Sequence, residues 1–209
     1  MHPILTVPNP ILRQKSKPVL KFDSKLEKLI KEIEETLTKK KNPQGVGLSA
    51  VQIGTPLRVF ATYLPDIDLS DRADLEGKTQ ILRIFVNPQI TRLSKQLTLG
   101  GKSQPKSSKL KAKSSKPILE GCLSIPGIYG PVKRHQWIKL EYQIFSSDGG
   151  RKDSSEVKTK VEVFSGFTAR VIQHELDHLD GILFTDRALK QKLPIYEEIN
   201  GKLESIELA

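Results

Sequence analysis

The segment FSGFTARVIQHELDHLDGILF, running from Phe164 to Phe184, constrains the fold of this chain more than any other. Phe167, Val171, Ile172, Leu176 and Leu179 recur at helical spacing and form one broad apolar face, with Ser165 placed to cap the start and Gly181 to end the helix. A face that wide belongs in the centre of a fold. The same helix carries His174, Glu175, Asp177 and His178, and such groups are not buried without partners. The fold must therefore bring partners to them. The two histidines stand four positions apart in a chain that has only four in all. At that spacing both imidazoles leave one face about a turn apart, where they can grip a single ion. Glu175 sits about 100° round the helix from His174, beside such an ion and free to take a proton from a bound water. A solvated helix with scattered charges is the alternative, and both the apolar face and the scarcity of histidine speak against it.

Two imidazoles do not complete a catalytic site, which takes three protein ligands and keeps one position for water. Glu197 and Glu198 lie near where some HExxH endopeptidases place a third, glutamate ligand on a second helix. Here Pro194 and Asn200-Gly201 oppose a helix. His2 is close to the start of the sequence, and His135 follows Arg134 in a basic run. Cys122, the lone cysteine, sits in EGCLSIP between a glycine and an extended segment, placed to present a thiolate at a strand edge. Spacing leaves the third ligand open between Cys122 and a glutamate.

With 209 residues, 37% of them apolar, the chain suits one compact domain. It has no apolar run long enough to span a bilayer. Its first residues lack the apolar stretch of a signal peptide, and Pro3, Pro8, Pro10 and Pro18 break any transit-type helix. A lone cysteine excludes an intramolecular disulfide and fits a reducing compartment, so the expectation is a cytoplasmic protein. The net charge of +10 raises the question of nucleic acid. Six lysines and no acid between Lys102 and Lys116 supply more than half of it. Without aromatics to stack on bases, that run reads as a solvated loop rather than a tether to a phosphate backbone. A basic RNA- or ribosome-binding protein with a merely structural metal site is the reading that competes.

Leu26, Leu29, Ile30, Ile33 and Leu37 predict a helix from Ser24 to about Lys40, capped by Asp23 or Ser24 and stopped by Asn42-Pro43. Strands are expected at Leu57–Leu64, Ile81–Val86 and Trp137–Phe145, the last turning at Gly149-Gly150 into KTKVEVF. YEEINGKLESI reads as a hairpin across Asn200-Gly201. The pattern is α+β: short, mainly antiparallel sheets packed around a central metal-binding helix in a single domain spanning 1–209, with a lysine- and serine-rich insertion at about 94–117.

Three stretches taken together, GVGLSAVQ (Gly45–Gln52), EGCLS (Glu120–Ser124) and QHELDH (Gln173–His178), resemble the signature motifs of peptide deformylases. VNP precedes the second and DGILF follows the third, and the likeness runs from Leu5 to about Ala188 apart from the insertion. The resemblance implies a metal-dependent hydrolase that removes the formyl group from N-formylmethionine at the start of nascent polypeptides and releases formate. It implies one divalent ion, Fe2+ before Zn2+ or another, held by Cys122, His174 and His178, with Glu175 as general base and acid. The Gln52 amide and the Leu123 N–H would steady the oxyanion. Val46, Gly47, Arg134 and Val171 would contact the substrate, the glycine letting peptide backbone approach. Asp177 would orient a ligand or a nearby arginine. Ser49 stands where the family usually has alanine, a change expected to leave Gln52 undisturbed. The tail lacks the long basic helix with which some relatives reach the ribosome, which leaves the lysine-rich insertion as the candidate for that contact.

Overall fold

The structure is a computed structural model that describes residues 2–41, 44–65, 77–100, 117–146 and 156–207. Asp23 caps the first helix, α1 (Ser24–Lys39), its carboxylate accepting from the N–H groups of Lys25 and Leu26 at 3.0 and 3.2 Å. The i, i+3, i+4 stripe of α1 is buried as expected, with Leu26, Leu29, Ile33 and Leu37 packed against Leu48, Val59 and Ala61. Those partners belong to the strands that follow, β1 (Gly47–Ser49) and β2 (Val59–Leu64). A 3-10 turn, Ala50–Ile53, leads out of β1 and carries Gln52.

Next along the chain come β3 (Ile81–Leu93), β4 (Leu97–Thr98), β5 (Leu119–Cys122), β6 (Ile125–Pro131), β7 (Arg134–His135), β8 (Trp137–Ser146) and β9 (Glu156–Ser165). The central helix α2 (Gly166–Leu179) follows, then α3 (Phe184–Lys190), β10 (Ile195–Ile199) and β11 (Lys202–Ile206). The strands form a five-stranded sheet in the order β1-β2-β3-β8-β9, a four-stranded sheet in the order β11-β10-β6-β5, and the short pair β4-β7. All of these pairings are antiparallel.

The apolar face of α2 is divided between two clusters. Ala169, Ile172, Leu176 and Leu179 pack on Phe60, Phe85, Ile138 and Leu140 of the larger sheet. Phe167 and Val171 pack on Leu64 and Ile118. Burying side chains of this size is worth about 1.5–3 kcal/mol each, which is what holds a helix bearing charged groups in the core. Ser165 occupies the N-cap position in extended backbone, but its side chain makes no capping bond.

Three features depart from the expected elements. β3 does not stop at Val86: it passes through Asn87, at φ 50°, and continues to Leu93 with register shifts against β8. Asn87 fixes this bend, because its side chain bonds the N–H and C=O of Val19 and the side chain of Gln143 at 2.7–2.8 Å. The seven-residue helix α3 is additional; it packs Phe184 and Ala188 beneath the smaller sheet. The first residues of the 94–117 insertion are part of the fold, since Leu97 and Thr98 pair with His135 and Arg134. Its lysine-rich part, residues 101–116, lies outside the described residues, as do Asn42-Pro43 and the turn at Gly149-Gly150. The hairpin across Asn200-Gly201 is present and extends the smaller sheet through β10 and β6. Among the described residues no helix is long and apolar enough to cross a membrane.

Candidate metal centre and active site

Cys122 ends β5, and His174 and His178 stand on successive turns of α2. One potential ligand atom from each of the three lies within 4.8 Å of the other two. Cys122 Sγ is 3.1 Å from His178 Nε2, and the two imidazole centroids are 4.9 Å apart. His174 Nδ1 lies 3.1 Å from Glu120 Oε2. The carboxylate accepts there, so Nδ1 carries the proton and Nε2 is left for a metal. His178 is 1% exposed, and its Nδ1 has no partner among the described residues. One thiolate and two imidazoles converging on a point suit a tetrahedral ion that keeps a position for water, so the residues present fit a divalent metal.

The electrostatics favour a thiolate at Cys122. Burial alone would raise the Cys122 thiol, but the charge of His178 and hydrogen bonds from both imidazoles outweigh it and hold the thiol well below its ordinary value. Burial would likewise lower His174, yet its bonds to Cys122 and Glu120 raise it well above the usual imidazole value. Glu120, despite its burial, is held below the usual carboxylate range by Arg134 and then by His174.

Glu175 follows His174 on the helix and is 3% exposed. Burial pushes its carboxyl up, the direction that readies a carboxylate to take and return a proton. Ser49 Oγ donates to Glu175 Oε2 at 2.5 Å, and a Cβ on Gly47 would fall 2.3 Å from Glu175 Oε1. The Glu175 carboxylate is thus bracketed by Gly47 and Ser49 of one strand. Gln52 also lies beside the cluster: its Oε1 accepts from the Ser49 N–H at 2.8 Å, and its Nε2 donates to Ser124 Oγ at 3.1 Å and lies 3.6 Å from Cys122 Sγ. Ser49 therefore steadies both Gln52 and Glu175, a role that its small size did not signal in the sequence.

Arg134 requires correction as a substrate contact. It is 5% exposed and does not line the cleft beside the cluster. Its guanidinium is engaged by both oxygens of Glu120, at 3.0 and 2.8 Å, and by Asp177. Two buried carboxylates brought from other elements claim it, although its neighbours in sequence suggested an exposed basic run. Asp177 also accepts from Arg187 at 2.5–3.2 Å, so it is a buried hub rather than a surface ion pair. Two partners were missed from the sequence. Glu120 joins Arg134, Arg170 and His174, and Arg170 spans Glu120, the Val132 carbonyl and the Thr98 carbonyl at 2.7–2.9 Å. The signal for Glu120 was its place two residues before Cys122, since a ligand at a strand end is steadied by groups on the same strand.

A cleft of ≈ 560 Å³ opens over the cluster. One wall is Gln44–Gly47, leading into β1, the edge strand of the larger sheet. The other runs through β5, the edge of the smaller sheet, and on to Tyr129. Leu123, at the tip between β5 and β6, lines the cleft together with Val46, Gly47 and Val171. Val46 packs with Ile118, Phe167 and Val171 into an apolar recess. Glu197 and Glu198 do not join the metal cluster: they stand on β10, a strand where a helix would have been needed, and among the described residues the cluster comprises Cys122, His174 and His178. The cysteine is the third group.

Two sheet edges flanking a buried carboxylate and three side chains able to hold a metal fit a hydrolase acting on an extended amide substrate. Known proteins narrow that class. The polypeptide deformylase family matches residues 1–193. Over 192 residues the chain is 36% identical to the peptide deformylase of Brucella suis biovar 1, covering 92% of this chain and 87% of that protein. Among solved structures, a class I type b peptide deformylase from Acinetobacter baumannii bound to Met-Ala-Ser superposes with a TM-score of 0.66 at 27% identity, covering 90% and 98% of the two chains. The peptide deformylase of Thermotoga maritima gives 0.61 at 30% identity, covering 90% and 97%. The chain belongs to the peptide deformylase family, hydrolases that remove the N-formyl group from nascent peptides.

Proposed function

We propose that Cys122, His174 and His178 hold one divalent ion, that Glu175 is the general base and acid, and that formylmethionyl peptides bind as an extra strand between β1 and β5. The observation that carries this reading is the convergence of the three ligand atoms within 4.8 Å beside the buried Glu175 carboxylate. A divalent ion held there would supply Lewis acidity toward the formyl carbonyl and make a water nucleophilic near neutral pH. Glu175 would accept a proton from the attacking water as the water oxygen bonds to the formyl carbon. It then delivers the proton to the amine nitrogen as the C–N bond breaks, leaving formate and a free α-amino group. Gln52 Nε2 and the Leu123 N–H are the donors toward the developing oxyanion. Gly47 admits the peptide backbone, and Val46 and Val171 give the methionine side chain an apolar recess with Ile118 and Phe167. The Met-Ala-Ser bound by the Acinetobacter baumannii relative supports a peptide beginning with methionine as ligand.

We take the ion to be Fe2+, with Zn2+ or another divalent ion as the alternative, since this donor set suits both. The whole chain, 1–209, is read as one catalytic domain in the cytoplasm, and the lysine-rich insertion as its contact with the ribosome. The direct test is formate release from formyl-Met-Ala-Ser by protein purified anaerobically, with metal analysis of the same sample. Formate production with about one metal per chain is the expected result, and a metal-loaded protein that releases none overturns the assignment. For the insertion, deletion of residues 102–116 is expected to weaken co-sedimentation with ribosomes while sparing the tripeptide reaction.

A further inference from the structure

Glu198 was singled out by its distance from His178, yet it is not a metal ligand. It lines the same cleft all the same. Tyr196 of β10 pairs with Tyr129 of β6, and Tyr129 pairs in turn with Gly121 of β5. Residues that alternate along a strand share a face, so Glu198 lies on the face of the smaller sheet that carries Tyr129. The printed pairing ends at Glu197 and Ile128, and Gly127, the residue before Ile128, lines the cleft with Glu198 at a position where a Cβ would meet nothing within 4 Å. That end of the cleft is therefore open above the carboxylate. The Glu198 side chain is exposed and makes no hydrogen bond or ion pair among the described residues. The other carboxylates lining the cleft are committed: Glu120 to Arg134 and Arg170, and Glu175 to Ser49 beside the metal ligands. One free negative charge stands at the cleft mouth of a chain whose net charge is +10.

Resting on the deformylase reading above, we infer that Glu198 is a specificity-determining residue that favours lysine or arginine two or three places after the formylmethionine. The distances agree. A peptide paired along the β5 edge runs about three strand spacings, roughly 14 Å, from β10, a gap that an extended lysine or arginine and the Glu198 side chain close between them. A long cationic side chain at that point can reach the carboxylate, whereas an acidic one is repelled by it. The pair is solvent-exposed, so the preference is modest and sensitive to salt.

The test compares kcat/KM for formyl-Met-Ala-Lys-Lys amide and formyl-Met-Ala-Glu-Glu amide, with formate release from formyl-Met-Ala-Ser as the separate measure of the deformylase reading. In the native chain the lysine peptide should lead by about two- to five-fold at low salt. The lead should fall toward unity in Glu198→Gln and reverse in Glu198→Lys. Glu204→Gln removes the same charge from the opposite face of the β10–β11 hairpin, where Glu204 pairs with Glu197, and should keep the native ratio. An unchanged ratio in Glu198→Gln overturns the inference, and so does an equal loss in Glu204→Gln, which would trace the preference to the overall field of the protein.

Discussion

At Gly47 the absence of a side chain leaves room for the Glu175 carboxylate. A Cβ there would lie 2.3 Å from Glu175 Oε1 and 2.9 Å from its carboxyl carbon. The carboxylate has little room to retreat, because Ser49 Oγ holds its other oxygen. Gly47→Ala should therefore displace the base, lowering kcat by roughly 10- to 100-fold, as misplacements near 1 Å do. Metal content should be retained, since no metal ligand is touched. Formate release with metal analysis checks both, and full activity would show that the carboxylate tolerates the shift. The same neighbourhood shows how far single residues can be read from sequence. The clustering of His174 and His178 was legible from their spacing, since four residues put two side chains on one helix face. The burial of Arg134 was not legible: it depends on Glu120 and Asp177, 14 and 43 residues away, and nothing local announces them.

At the scale of elements, Glu120 is the rivet. From β5 it reaches Arg134 of β7 and both Arg170 and His174 of α2, and all four side chains are largely buried. Removing one member of such a network leaves charges unpaired in a low-dielectric setting, which is far costlier than losing a surface pair. Glu120→Gln keeps the shape but leaves two guanidinium groups without their shared counter-charge. It should destabilise the chain by about 3–5 kcal/mol, measured as a lower urea midpoint with an unchanged slope. A loss under 1 kcal/mol would mean that water or rearranged carboxylates take over. The long elements α1 and α2 were legible because an apolar stripe repeated over four turns is a strong signal. The α3 helix was missed because seven residues offer hardly two turns of pattern, and the bend in β3 because it rests on the distant partners of Asn87.

Across the whole molecule, a metal at Cys122, His174 and His178 would staple β5 of the smaller sheet to the helix that carries the larger one. Such binding stabilises the native state by mass action, by about 2.7 kcal/mol when the ion stands at 100 times its Kd. For a domain of this size that corresponds to roughly 5–10 °C in Tm. Chelation should therefore lower Tm by that order, and re-addition of the ion should restore it. An unchanged Tm would place the metal elsewhere or leave the cluster without one. The α+β architecture could be anticipated because short strand patterns run in succession between two sizeable helices. How two separate sheets come to present their edges, β1 and β5, to one cleft could not, since that follows from long-range packing on α2.

The most direct test of the catalytic assignment is the Glu175→Gln variant, with kcat for formate release and bound metal measured on one sample. Gln keeps the shape and the position beside Gly47 but cannot carry the proton from water to the departing amine. Loss of at least about 100-fold in kcat with the metal fully retained is the expected result. Activity within a few-fold of the native chain would contradict the role of Glu175 as base and acid.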